Sequence, residues 1–136
     1  MERSPDGPGR ASATRPSLMS ILDTTQLALE SAMSGSALRQ TLLTNNLANA
    51  NTPGYKPQDV NFQGTLASAM ATGQSPTSVQ YTPYTVQSTV SADGNGVNAE
   101  QTSAQLASNG LLYEDLTAVA AQREQILLYA IGGPGA

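Results

Sequence analysis

The sequence predicts a mainly α protein, with two long terminal helices pairing as an antiparallel coiled coil and a small irregular insert between them. The insert is expected to hold a short helix and a candidate β-hairpin. Three observations lead there. Apolar residues recur at spacings of 3, 4 and 7 near both ends of the chain, the pattern of a helix that buries one stripe. Sharp terminators, Thr52-Pro53-Gly54 and Gly132 to Gly135, close both stretches. The segment between them is rich in Gly, Pro, Ser and Thr and carries strong turn signals. The implied organisation is an extension over 1–18, a helix and turn over 19–54, an insert over 55–96 and a closing helix over 97–136.

Residues 1–17 combine Pro, Gly, Ser and Arg without apolar periodicity, the composition of a disordered extension. Met19 is a second candidate start. The first helix is expected to begin between Ser20 and Thr24, where Asp23 and Gln26 stand at capping-box spacing. Its stripe reads Leu22, Leu29, Met33, Leu43, Leu47 and Ala50, flanked by Ala32, Leu38 and Leu42. Gly35, between two serines, has two readings. It is either a tolerated surface glycine, costing about 1 kcal/mol relative to Ala, or the site of a close helix–helix approach.

The stop is written in the residues. Pro53 pushes Thr52 out of the helical region, Pro53-Gly54 suits the centre of a type II turn, and Asn51 suits a left-handed C-terminal position. This leaves Asn45, Asn46 and Asn49 unexplained, since Asn is a poor helix-interior residue. Asn45 and Asn49 share a face.

In the insert, Phe62, Leu66 and Met70 at i, i+4 and i+8 predict a short amphipathic helix, with Gly64 its weak point. Residues 73–84 read as a loop. Tyr84 to Val90 alternates like a strand, with Ser78 to Thr82 as its candidate hairpin partner. Ala92 to Gly96, "ADGNG", is a turn. Asn98 with Gln101 is a second capping-box pattern. The closing helix then runs to about Ile131, with Leu106, Leu112, Tyr113, Leu116, Val119, Ala120, Ile126, Leu127 and Ile131 as its apolar positions. At 1.5 Å per residue the two long helices would span roughly 40 and 50 Å.

Composition narrows function. The chain is 12% charged and 4% aromatic, with one Phe and no Trp, His or Cys. Few rings make a weak core, so apolar surface is expected to need a partner. A net charge of −4 and the lack of a basic stripe argue against nucleic acid. No apolar run is long enough to insert into a membrane, and "SLMSIL" is too short before Asp23 for a secretory signal. Without His or Cys, no nucleophile–base pair, disulfide or thiolate zinc site can be built. Lys56 reads as solvated charge, and Glu114 and Asp115 point apart on a helix. "DGNG" lacks the further ligands of a calcium loop, and no phosphate loop follows. The expectation is a non-enzyme with no cofactor and no metal.

At "NNLANANTPGYK" the sequence resembles the bacterial flagellar rod and hook proteins. Their pattern Asn-x-Ala-Asn-x-x-Thr-Pro-Gly-Tyr falls on Asn46, Ala48, Asn49, Thr52, Pro53, Gly54 and Tyr55. "YKPQDVNF" (Tyr55, Lys56, Asp59, Phe62) and the run Asp93, Gly94, Asn95, Val97 with Tyr113 are most similar to proximal rod members. The chain departs from them at Leu112, Asn98 and Ala99, where basic or acidic residues are usual. The resemblance implies a coiled-coil subunit of the basal-body rod that joins the membrane ring to the distal rod and transmits torque. It implies export to the periplasmic rod without a cleaved signal peptide. The implied partners are copies of itself, other rod subunits, and basal-body adaptor and membrane-ring proteins. An assembly interface is expected at Asn45, Asn46, Asn49, Thr52, Pro53, Gly54, Tyr55, Asp59, Phe62 and Tyr113. The asparagines would select register, because a buried amide left unpaired costs roughly 1–3 kcal/mol. Another proximal rod subunit and a cytoplasmic helical adaptor are the alternatives.

Overall fold

Residues 18–132 are described by the structure, a computed structural model. The extension predicted over 1–18 falls outside them but for Leu18, as does the closing terminator beyond Gly132. The order of elements is α1 (Leu18–Ala48), β1 (Gln58–Asp59), α2 (Phe62–Ala71), a 3-10 turn (Pro76–Ser78), β2 (Tyr84–Thr85) and α3 (Ala99–Gly132). With 31 and 34 residues, α1 and α3 span about 46 and 51 Å. They pack antiparallel: Ser36 of α1 meets Asn109 of α3, while the following turn of α1 at Asn49 meets Asn95, just before α3.

The start of α1 differs from expectation. The helix already runs at Leu18, so Asp23 lies inside it rather than capping it. Gln26 reaches forward to Glu30 Oε1 at 3.2 Å, and the Thr24 hydroxyl bonds the Ser20 carbonyl at 2.8 Å. The capping spacing was present, but nothing in "LMSIL" breaks a helix upstream of it. For α3 the capping residue is where the sequence puts it, with Gln101 N donating to Asn98 Oδ1 at 2.9 Å. The short helix α2 is capped by Asn61, whose Oδ1 accepts from Gly64 N.

The expected hairpin does not form. Tyr84–Thr85 pairs antiparallel with Gln58–Asp59, in the register Gln58↔Thr85 and Asp59↔Tyr84, and not with Ser78 to Thr82. That nearer segment is diverted into the 3-10 turn at Pro76 and towards α1, where the Tyr81 hydroxyl bonds the Ser31 hydroxyl at 2.7 Å and its carbonyl at 3.1 Å.

The fully buried apolar core is small, and it reaches the α1–α3 seam at Leu43, which shares a cavity wall with Gln101 and Thr102 of α3. Leu42, Leu43, Val60, Phe62, Leu66 and Ala69 are buried, which places it where β1 and α2 pack on the C-terminal half of α1. Gly35 lies at its edge by close approach: a Cβ there would fall 2.5 Å from Phe62 Cβ. Phe62 stands edge-on to Tyr81, with ring centroids 6.3 Å apart, a favoured aromatic geometry. The α1–α3 seam is also cross-linked by an amide. Asn109, 1% exposed, donates to the Ser36 carbonyl at 2.9 Å and to Gln40 Oε1 at 2.7 Å.

Candidate assembly interface

The asparagine cluster ends α1 and then reaches beyond it. Asn46 is buried, and its carboxamide takes both backbone groups of Gln58: Nδ2 donates to Gln58 O at 2.7 Å and Oδ1 accepts from Gln58 N at 3.0 Å. The Tyr55 hydroxyl adds a third bond to Oδ1 at 3.3 Å. A side chain thus replaces a strand along β1, whose backbone would otherwise be buried unpaired. Asn49 acts locally. Its Nδ2 bonds the Asn45 carbonyl at 2.8 Å and its Oδ1 accepts from the Thr52 hydroxyl at 3.1 Å.

The turn that follows is the predicted type II turn. Tyr55 N bonds Thr52 O at 3.2 Å, and Gly54 has φ +73°, the left-handed position that this turn reserves for glycine. Asn51 is not left-handed, since no described residue other than glycine has positive φ. The carbonyls of the turn that follows α1 are gathered from a distance. Asn95 sits 3% exposed and aims Nδ2 at the carbonyls of Asn49 (2.9 Å), Ala50 (3.0 Å) and Thr52 (2.7 Å). Its Oδ1 accepts from Val97 N at 2.7 Å. Backbone bonds from Gly54 N to Asp93 O and from Gly96 N to Tyr55 O, both 3.0 Å, lock the two turns together. A helix C-terminus needs partners for its final carbonyls; those of Asn45, Asn46 and Leu47 find them in Asn49 N and Ala50 N, while the turn beyond is held by the other half of the chain.

The predicted site residues therefore divide. Asn46, Asp59 and Phe62 are buried, with side chains engaged inside the chain. Asp59 forms a two-pronged bridge with Arg39, Nε to Oδ1 at 2.8 Å and Nη2 to Oδ2 at 2.9 Å. This bonding raises the Arg39 pKa above its ordinary value, against the opposing effect of burial. Tyr55 and Asn49 are half-buried. Asn45, Thr52, Pro53, Gly54 and Tyr113 are exposed. Asn45 and Tyr113, far apart in sequence, line one groove of about 480 Å³ between α1 and α3, floored in part by Ala37 and Gly110. Sequence reasoning missed Arg39, Asn95 and Asn109. Asn109 had a readable signal, an amide inside an apolar helix; Asn95 was hidden in a turn motif.

A further surface runs along α3, where Leu111, Val119, Ile126, Leu128, Tyr129 and Ile131 are exposed, Ile131 by 86%. No helix of the described residues is long and apolar enough to cross a membrane.

A family model described as "Flagella basal body rod protein" matches residues 27–56, the stretch of α1 and turn that carries the asparagines. The flagellar basal body rod protein FlgB of Escherichia coli (strain K12) is 32% identical over 114 residues, covering 68% of this chain and 83% of the relative. FlgB of Salmonella typhimurium (strain LT2) is 30% identical, covering 76% and 91%. FlgB of Bacillus subtilis (strain 168) is 31% identical, covering 72% and 85%. The chain belongs to the flagellar basal body rod protein family. Flagellar basal body rod proteins are structural components of the flagellum, and membership places this chain's role in the basal body, among other rod components. The resemblance read at "NNLANANTPGYK" and the mainly α architecture both hold. Within this rod protein the motif has an internal use as well: it joins α1, β1 and the Asn95 turn.

Proposed function

We propose that the chain is a structural subunit of the flagellar rod that joins the membrane ring to the distal rod and transmits torque. In this reading segments 19–54 and 97–136, which carry the two long helices, form the rod domain and 55–96 is its insert. Neighbouring subunits, copies of itself or other rod proteins, cover the groove bearing Asn45 and Tyr113 and the exposed apolar side chains of α3, which project on several sides of the helix. Basal-body adaptor and membrane-ring proteins meet the end of the stack. The chain reaches the periplasmic rod without a cleaved signal peptide and performs no catalysis.

One observation carries this reading: the apolar side chains along α3 outnumber those in the core and lie open. Exposed apolar area on this scale marks a surface meant for another protein. Subunits of a helical tube meet through unlike faces, so both a knob surface and a groove are required. The test replaces Val119, Leu128 and Ile131 together by Ser in a strain lacking the native gene. Swimming and rod formation should be lost, while the purified variant keeps the melting temperature of the parent. Normal motility with the triple variant would refute the assignment of these side chains to subunit contacts. A groove variant, Tyr113→Ala, should also impair rod formation without destabilising the free chain.

A further inference from the structure

We propose that the two Asn-Gly steps of this sequence, Asn95-Gly96 and Asn109-Gly110, are deamidation sites that the native helix pairing protects and any unfolded interval opens. An asparagine followed by glycine is the chemically vulnerable case. Glycine has no Cβ to obstruct the approach of its own backbone nitrogen to the preceding Cγ, and its backbone reaches the required conformations freely. The Gly nitrogen gives up its proton and forms a bond to Asn Cγ. The Cγ–Nδ2 bond breaks and the nitrogen leaves, protonated, as ammonia. Water then opens the resulting cyclic imide at either carbonyl, breaking one C–N bond. The product is aspartate or isoaspartate. The sum is one water consumed and one ammonia released, with no oxidant or reductant.

The fold restrains each participant. At the first site the nucleophile is engaged, because Gly96 N donates its proton to Tyr55 O at 3.0 Å. The leaving amide is held by three carbonyls at 2.7–3.0 Å. Val97 N on Asn95 Oδ1 polarises the carbon, so protection rests on the nucleophile and the fixed side chain. At the second site Gly110 lies inside α3, where its N–H belongs to the helical ladder. There the Asn109 amide is held by Ser36 O and Gln40 Oε1 at 2.9 and 2.7 Å. Both asparagines are at most 3% exposed.

The consequence follows from what the two amides do. Each is a donor that bridges the N-terminal and C-terminal halves of the chain. Conversion to a carboxylate removes the donor and places negative charge against carbonyl oxygens, so a modified chain cannot rebuild the same pairing. Time spent unfolded is thereby recorded covalently at the two clamps. This inference does not depend on the rod assignment.

The full chain is incubated at one mildly alkaline pH, in native buffer and in guanidinium chloride, and each asparagine is followed by peptide mass spectrometry. Asn95 and Asn109 should convert at least about tenfold faster in denaturant, because reaction in the native buffer must pass through opened molecules. Asn45, Asn51 and Asn98, exposed and not followed by glycine, should convert slowly in both. On removal of denaturant, the modified fraction should melt at a lower temperature than the unmodified one. Equal rates at Asn95 and Asn109 in the two buffers overturn the proposal, as does a modified fraction with an unchanged melting temperature. The rate comparison uses the natural chain and stands even where Asn95→Asp fails to fold.

Discussion

Asn46 and Asn95 each set one carboxamide against backbone groups outside the helices, Asn46 along β1 and Asn95 in the turn beyond α1, where it bonds Ala50 O besides the Asn49 and Thr52 carbonyls. Leaving such groups buried and unpaired costs roughly 1–3 kcal/mol. Asn95→Ala should therefore lower the unfolding free energy by about 1–3 kcal/mol, read as a reduced urea midpoint with an unchanged slope. Arg39→Ala removes a bridge whose side chains are only 25% and 12% exposed and strands Asp59. A loss of about 2–3 kcal/mol is expected. Alkali should not reproduce that loss. A group whose pKa is raised keeps its full stabilising effect below its ordinary value and loses it as pH climbs through the raised one, and for arginine both lie far into the alkaline range. The asparagine cluster was legible as the end of a helix. Its targets were not, because Gln58 and Asn95 come from segments whose placement depends on the whole fold.

Periodicity was enough to find α1, α2 and α3, because each runs for several turns with an apolar stripe. It failed for the strands. Two residues carry no period, and Gln58–Asp59 gains its partner across the insert and its second edge from an asparagine side chain. Two helical glycines give opposite predictions. Gly35→Ala drives a Cβ into Phe62 and should destabilise the chain, by about 1–3 kcal/mol for overpacking. Gly110 has nothing within 4 Å of the Cβ position, so Gly110→Ala should stabilise α3 by about 0.5–1 kcal/mol. Thermal unfolding of the two variants checks both signs. Since Gly110 floors the groove with Asn45 and Tyr113, the stabilised variant is also expected to assemble less well, a separation of stability from function.

With few aromatic residues the core is small, as composition predicts, but its position depends on the fold of the insert. Most buried apolar residues cluster beside the insert, and along the seam Asn109 bonds Ser36 and Gln40. From Leu111 to Gly132, α3 has no fully buried residue. Hydrogen exchange should accordingly be slowest around Leu42 to Asn46 and Thr102 to Asn109, and fastest over Glu124 to Ile131. Uniform protection along both helices would contradict this distribution.

The interlocked turns at Gly54 and Asp93 have a mechanical corollary. They rivet the two helices at one end through backbone bonds, from Gly54 N to Asp93 O and from Gly96 N to Tyr55 O. A force twisting one helix about the other is therefore carried at that end by main chain as well as by side chains, and the riveted end moves as one piece.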